Sequence, residues 1–173
     1  MTRTRLHCHY SQYQWWGVPS RYVRFVDHLD RSRYAVTTSG ASDVVDETAM
    51  PDWQRRMADL IRPDMLRQHR PWHNLNDLAN EAATLDLCRD GKIDIVHFLD
   101  GEHSGPVLPQ LVRNRLPGVR TVASFHQPPD LLEKVLRGPE LRQLDMIILM
   151  APSQVPFFAQ FVSHEHIRVI LHG

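Results

Sequence analysis

Polar and apolar positions along this chain follow two rhythms. Short apolar runs recur at Leu6–Tyr10, Tyr34–Thr38, Ile93–Leu99, Val119–Phe125, Met146–Ala151 and Ile167–Leu171. The third, IDIVHFL, is apolar on both alternating faces apart from Asp94 and His97, and the fifth, MIILMA, has no polar residue. A strand with one wet face alternates between polar and apolar. Continuous runs therefore predict strands covered on both faces, and such strands are usually parallel.

Between these runs the spacing becomes helical. Tyr22, Val26 and Leu29 fall at i, i+4 and i+7 behind Pro19-Ser20. Trp53, Met57, Leu60 and Ile61 make a second stripe, bounded by Pro51 and Pro63. Leu75, Leu78, Ala82 and Leu85 make a third, with Asn74 as a candidate cap and Gly91 closing it. Ser104-Gly105-Pro106 opens a fourth through Val107, Leu108, Leu111 and Val112. Leu131, Leu132, Val135 and Leu136 mark a fifth, interrupted at Gly138-Pro139, and VPFFAQFV a sixth.

Strands alternating with helices predict an α/β fold: a Rossmann-like, doubly wound, mostly parallel sheet of about six or seven strands with helices on both faces. Residues 1–173 are expected to form a single such domain. The charged stretch from Ser39 to His73 is long for one connection and reads as a surface excursion holding the second helix. The last apolar run, IRVILHG, reads as a buried strand that completes the sheet, with His172-Gly173 as a hinge towards a further domain.

Composition narrows the picture without naming a function. Apolar residues make up 42% and charged residues 23%, the balance of an ordinary globular protein. Lys+Arg and Asp+Glu stand at 20 each, so no charge excess points to nucleic acid or an anionic membrane. Cys8 and Cys88 are isolated thiols in a chain large enough not to need a staple, which suits a reducing compartment. MTRTRLHCHYSQ has no apolar stretch of a secretory signal behind its basic residues. Met146–Ala151 is far shorter than the roughly 20 residues of a membrane span. No transmembrane segment and a cytoplasmic location are expected.

In an open parallel sheet, ligands gather where the strands end. Those ends read His9-Tyr10-Ser11, Thr38-Ser39-Gly40, Asp100-Gly101-Glu102-His103, Ser124-Phe125-His126-Gln127, Pro152-Ser153-Gln154 and His172-Gly173. The opposite ends offer Arg5, Arg33, Asp94, Arg120, Asp145 and Arg168, which read as solvating charges. FHQPPD puts His126 before two stiffening prolines, so it is either a fixed ligand-binding imidazole or one bonded to backbone. LDGEHSGP sets Asp100, Glu102 and His103 before a helix start, where they either meet a ligand or cap the helix. HCH puts His7 and His9 on one face of a strand. Such pairs bind zinc in some hydrolases, but these need a barrel of about 250 residues, so no metal is expected. YQWWGVPSRY carries two tryptophans able to cover a sugar ring or to seal a sheet edge, and it lacks a G-x-G-x-x-G fingerprint.

The ordered series IDIVHFLDGEHSG, VRTVASFHQPPD, LDMIILMAPSQ and IRVILHG resembles the N-terminal half of a type-B glycosyltransferase, most like the family-four group of retaining, nucleotide-sugar-dependent enzymes. The resemblance implies a domain that binds the sugar acceptor, opposite a C-terminal domain that binds the nucleotide sugar. It implies that His126 lines the cleft as a catalytic residue, with substrate contacts from Trp16, Gly17, Ser20, Asp100, Glu102, Gln127 and Ser153. It also implies transfer of a hexose from a nucleotide-diphosphate donor to an acceptor hydroxyl, without a bound cofactor. The family's paired glycines are replaced here by Trp-Trp-Gly-Val-Pro, and its diphosphate-binding groups lie in the C-terminal domain. The chain alone is therefore expected to show little or no turnover, and a partner domain or chain is expected at the strand-end rim. The alternative reading is a free-standing Rossmann-like binding or interaction module without catalysis.

Overall fold

The computed structural model describes residues 2–10, 25–40, 75–102, 107–136 and 138–171. Within them lie strands β1 (Thr4–Tyr10), β2 (Tyr34–Gly40), β3 (Ile95–Phe98), β4 (Arg120–Phe125), β5 (Met146–Leu149) and β6 (Ile167–Val169). Helices α1 (Leu75–Asp90), α2 (Val107–Arg115), α3 (Pro129–Val135), α4 (Gly138–Leu141) and α5 (Val155–Phe158) connect them, together with helical residues 25–28 and two short 3-10 turns. All six strands are parallel, in the order β2-β1-β3-β4-β5-β6. The chain steps outward from β1 to β2, then returns to build the other side from β3. The direction of winding reverses between β1 and β3.

Register sorts the side chains. His7 pairs with Val96 and His9 with Phe98, while Cys8 pairs with His97. One face carries Val96, Phe98, Ala123, Phe125, Ile147 and Leu149, packed under Leu85 and Cys88 of α1, Leu108, Leu111 and Val112 of α2, and Phe157 and Phe158 of α5. Each such fully buried side chain contributes about 1.5–3 kcal/mol. The other face, around Leu6, Cys8 and Leu99, is covered by Val26 and Leu29. Burial pushes both thiols, Cys8 and Cys88, up to about 12.

Local chemistry explains the boundaries. α2 buries Leu108, Leu111 and Val112 at i, i+3 and i+4, and carries Arg113 and Arg115 in its last turn, where cations suit the helix dipole. Pro129 at the start of α3 forfeits an N–H that would lack a partner anyway. α1 stops at Gly91-Lys92: Gly91 N–H reaches Leu87 O at 2.8 Å, Ile93 N–H reaches Cys88 O at 3.0 Å, and Lys92 takes φ 49°.

Three readings of the sequence are corrected. Asp94 and Asp145 are not mere solvating charges. Asp94 Oδ2 accepts the Arg5 N–H at 2.7 Å and Asp145 Oδ2 the Thr121 N–H at 2.8 Å, each carboxylate just ahead of its own strand tying down the neighbouring one. Leu131, read into an apolar stripe, is 41% exposed, while Leu132 beside it is turned inward and buried. β6 ends at Val169; Ile170 and Leu171 are 55% and 68% exposed, since an edge strand has a neighbour on one side only. The second helical stripe, Asn74, the opening Ser104-Gly105-Pro106 and the end at His172-Gly173 lie outside the described residues. Among the described residues, no helix is long and apolar enough to cross a membrane.

Candidate functional site

The carboxyl ends of β1, β3, β4 and β5 bring the polar residues together. At β4, Ser124 O accepts the Gly101 N–H at 2.7 Å, which folds the Asp100-Gly101-Glu102 turn back over the strand. Asp100 and Glu102 are thereby buried, at 2% and 3% exposure. The Glu102 carboxylate accepts the His126 backbone N–H through Oε1 at 3.2 Å and Oε2 at 3.4 Å. The third position of one turn thus holds the residue that follows the next strand.

The His126 ring is fixed as well. Its Nε2 lies 2.7 Å from Leu99 O. A carbonyl only accepts, so Nε2 carries the hydrogen in this bond. With its backbone held by Glu102 and its ring by β3, half-buried His126 keeps one orientation. Of the two readings left open by the sequence, the structure shows the backbone bond, through Nε2.

Gln154 completes the rim. Its Oε1 accepts the N–H groups of Met150 at 2.8 Å and Ala151 at 2.9 Å. Its Nε2 donates to Phe125 O at 3.2 Å and Gln127 O at 2.8 Å. One 2%-exposed amide thus joins the ends of β4 and β5 and sets the backbone on both sides of His126. The sequence reading passed over it in favour of Ser153, which is exposed. A signal was present in Pro152-Ser153-Gln154, where a proline-started turn puts the third residue back under the strand end.

Buried histidines surround this rim. His97 Nε2 lies 2.8 Å from Ser124 Oγ, with the Phe25 ring edge-on at 5.3 Å. Burial, and then the proximity of His126, lower His97 to about 4. On β1, His7 bonds Thr37 Oγ1 and Ser39 Oγ, both at 2.9 Å, and His9 Nδ1 lies 2.9 Å from Ser39 Oγ and 3.2 Å from Thr84 Oγ1 of α1. Burial lowers His7 to about 4; burial, with a smaller contribution from His7, lowers His9 to about 3. These rings are neutral at ordinary pH and act as hydrogen-bonding spacers between the edge strand and α1. Among the described residues, no group of three or more His, Cys, Asp or Glu side chains is arranged to hold a metal ion.

The structure therefore brings Asp100, Glu102, His126 and Gln127 to one rim, with Ser153 nearby in the chain on an exposed turn. Trp16, Gly17, Ser20 and His103 lie outside the described residues. The turn at Gly101 tolerates no side chain. A Cβ there would stand 2.7 Å from the Phe125 ring, which is 1% exposed and itself packed 4.7 Å from the Phe158 ring. Gly101→Ala is expected to cost about 1–3 kcal/mol by overpacking. Chemical denaturation measures this, and an unchanged midpoint would mean that the turn moves freely.

No known family's sequence pattern matches this chain, and no curated protein matches it in sequence. Solved structures do match. The trehalose-6-phosphate phosphatase N-terminal domain of Candida albicans superposes with a TM-score of 0.57 at 12% identity, over 100% of this chain and 49% of that one. The UDP-GlcNAc 2-epimerase of Neisseria meningitidis, bound to UDP-GlcNAc, superposes with a TM-score of 0.58 at 8% identity, over 96% of this chain and 45% of that one. At such identities the likeness is one of fold: a six-stranded parallel Rossmann-like sheet that spans about half the length of each of these two proteins.

Proposed function

We propose that this chain is the acceptor-binding domain of a glycosyltransferase that moves a hexose from a nucleotide-diphosphate sugar to an acceptor hydroxyl. The observation that carries the reading is His126, locked at the end of β4 by Leu99 O and by the Glu102 carboxylate. A residue whose ring and backbone are both fixed beside a strand end is suited to orienting a sugar, since little ordering cost is left at the moment of binding. Two proteins that share the fold are named for sugar chemistry, one of them bound to UDP-GlcNAc, and this chain spans about half of each. Both facts support a sugar-handling domain.

In this reading His126 orients the acceptor, and Glu102 and Gln154 act on His126 and its flanking backbone as positioning residues. Gln127 and Ser153 are candidates for direct contact. Departure of the diphosphate needs positive charge or helix-start dipoles, which the reading assigns to a C-terminal domain.

The test is a titration of the polypeptide with a panel of free mono- and oligosaccharides, followed by chemical-shift changes, alongside an assay with radiolabelled UDP-glucose. Sugar binding is expected, weakened about tenfold by His126→Ala, the loss of one good hydrogen bond. Robust turnover by the chain alone would overturn the division of labour. Absence of binding by every sugar would overturn the acceptor reading in favour of a module without catalysis.

A further inference from the structure

His9 occupies an unusual position. Its ring is 0% exposed, and its Nδ1 faces Ser39 Oγ at 2.9 Å and Thr84 Oγ1 at 3.2 Å. Phe98 stands edge-on with ring centroids 6.1 Å apart, so the ring has one orientation. The other nitrogen, Nε2, is buried without a hydrogen-bond partner. Whichever nitrogen carries the proton, Nε2 is left as an unmet donor or an unmet acceptor. A phenylalanine would fill such a site beside Phe98 without that cost, and buried orphan groups in native folds call for a specific reason.

The topology supplies a second, independent observation. Winding reverses between β1 and β3, and open parallel sheets place ligands in the crevice outside the carboxyl ends at such a reversal. His9 is the penultimate residue of β1, paired with Phe98 of β3, and its carbonyl accepts the Leu99 N–H at 2.9 Å, one residue before Asp100. The orphaned nitrogen therefore belongs to the one strand pair where the sheet opens towards a ligand.

We infer that His9 Nε2, at the carboxyl end of β1, is a hydrogen-bonding contact for a hydroxyl of a bound sugar. This rests on the sugar-binding reading above. A hydroxyl taken into so enclosed a place replaces an unmet polar group with a satisfied pair, and an analogue lacking that hydroxyl leaves the group unmet. His9 is then a selectivity element for that sugar.

The experiment uses the chain labelled with 15N in its histidine rings, titrated with each mono- and oligosaccharide of the panel above and then with monodeoxy analogues of the one that binds. A shift of both the His9 Nε2 and His126 resonances, with one deoxy analogue leaving His9 unmoved, supports the inference. Movement of His126 without His9 overturns it and leaves the sugar reading standing. Movement of neither overturns both. His9→Phe provides the second arm: it is expected to fold, with the Ser39 and Thr84 hydroxyls still bonded to each other, and to bind the same sugar about tenfold more weakly. Unchanged sugar affinity in a folded His9→Phe variant also overturns the inference.

Discussion

Acidification from about pH 7 to about pH 5 is expected to remove on the order of 5 kcal/mol of folding stability. His7 and His97 are held at about 4 and His9 at about 3 by burial, all below the ordinary value of 6.5. As pH falls through about 6.5 the unfolded chain takes up these three protons while the folded chain does not, so the unfolded state gains. Stability is therefore full above that value, declines with a slope approaching three protons, and levels off for these groups only near the folded values. Each ring accounts for about 2 kcal/mol at pH 5, a large share of the total for a domain of ordinary stability. Denaturant titrations across this range measure the slope. His97→Gln is expected to reduce it by about one proton; a flat profile between these two pH values would refute the burial of the three rings.

The second large effect is expected at Gln154. Gln154→Ala removes four hydrogen bonds and leaves two N–H groups and two carbonyls at the ends of β4 and β5 without their partner. The expected loss is about 3 kcal/mol, below the full sum because water reaches part of the rim. For a chain of this length that corresponds to a fall in Tm of roughly 6–12 °C. Gln154→Glu separates the two halves of the role. A carboxylate still accepts from Met150 and Ala151 but repels the carbonyls of Phe125 and Gln127, so it is expected to destabilise comparably. If either variant melts with the parent, the clamp is dispensable. Because Gln127 follows His126 directly, sugar affinity is expected to fall together with stability.

The strands were legible because their signal is local and redundant: MIILMA admits no reading with one wet face, and Gly91 marks where α1 must stop. The faces of the sheet were legible too, since alternation alone puts His7 and His9 together. What a polar side chain at a strand end bonds to depends on register and on turns of two or three residues, and neither leaves a periodic trace. Asp94 and Asp145 looked like charges in water until the neighbouring strand supplied an N–H. Glu102 was read as a ligand contact or a helix cap; its carboxylate bonds the backbone of His126, 24 positions on. Gln154 and Ser153 are adjacent and both polar, and only the turn decides which faces inward. The rim was legible as a region, because parallel strands all end on one side. Its internal assignments required three-dimensional pairing.

The repeated aspartate device has a consequence for engineering. Asp94 and Asp145 each lock a neighbouring strand at the amino end of the sheet, on the floor opposite the rim. Strand alignment is thus secured by residues that no rim loop touches. Replacing or lengthening the connections after β3 and β4 beyond Glu102 and Gln127, which keep their contacts to His126 and Gln154, should leave the register of β1, β3, β4 and β5 intact, which makes this end of the protein a scaffold on which foreign loops can be grafted and selected.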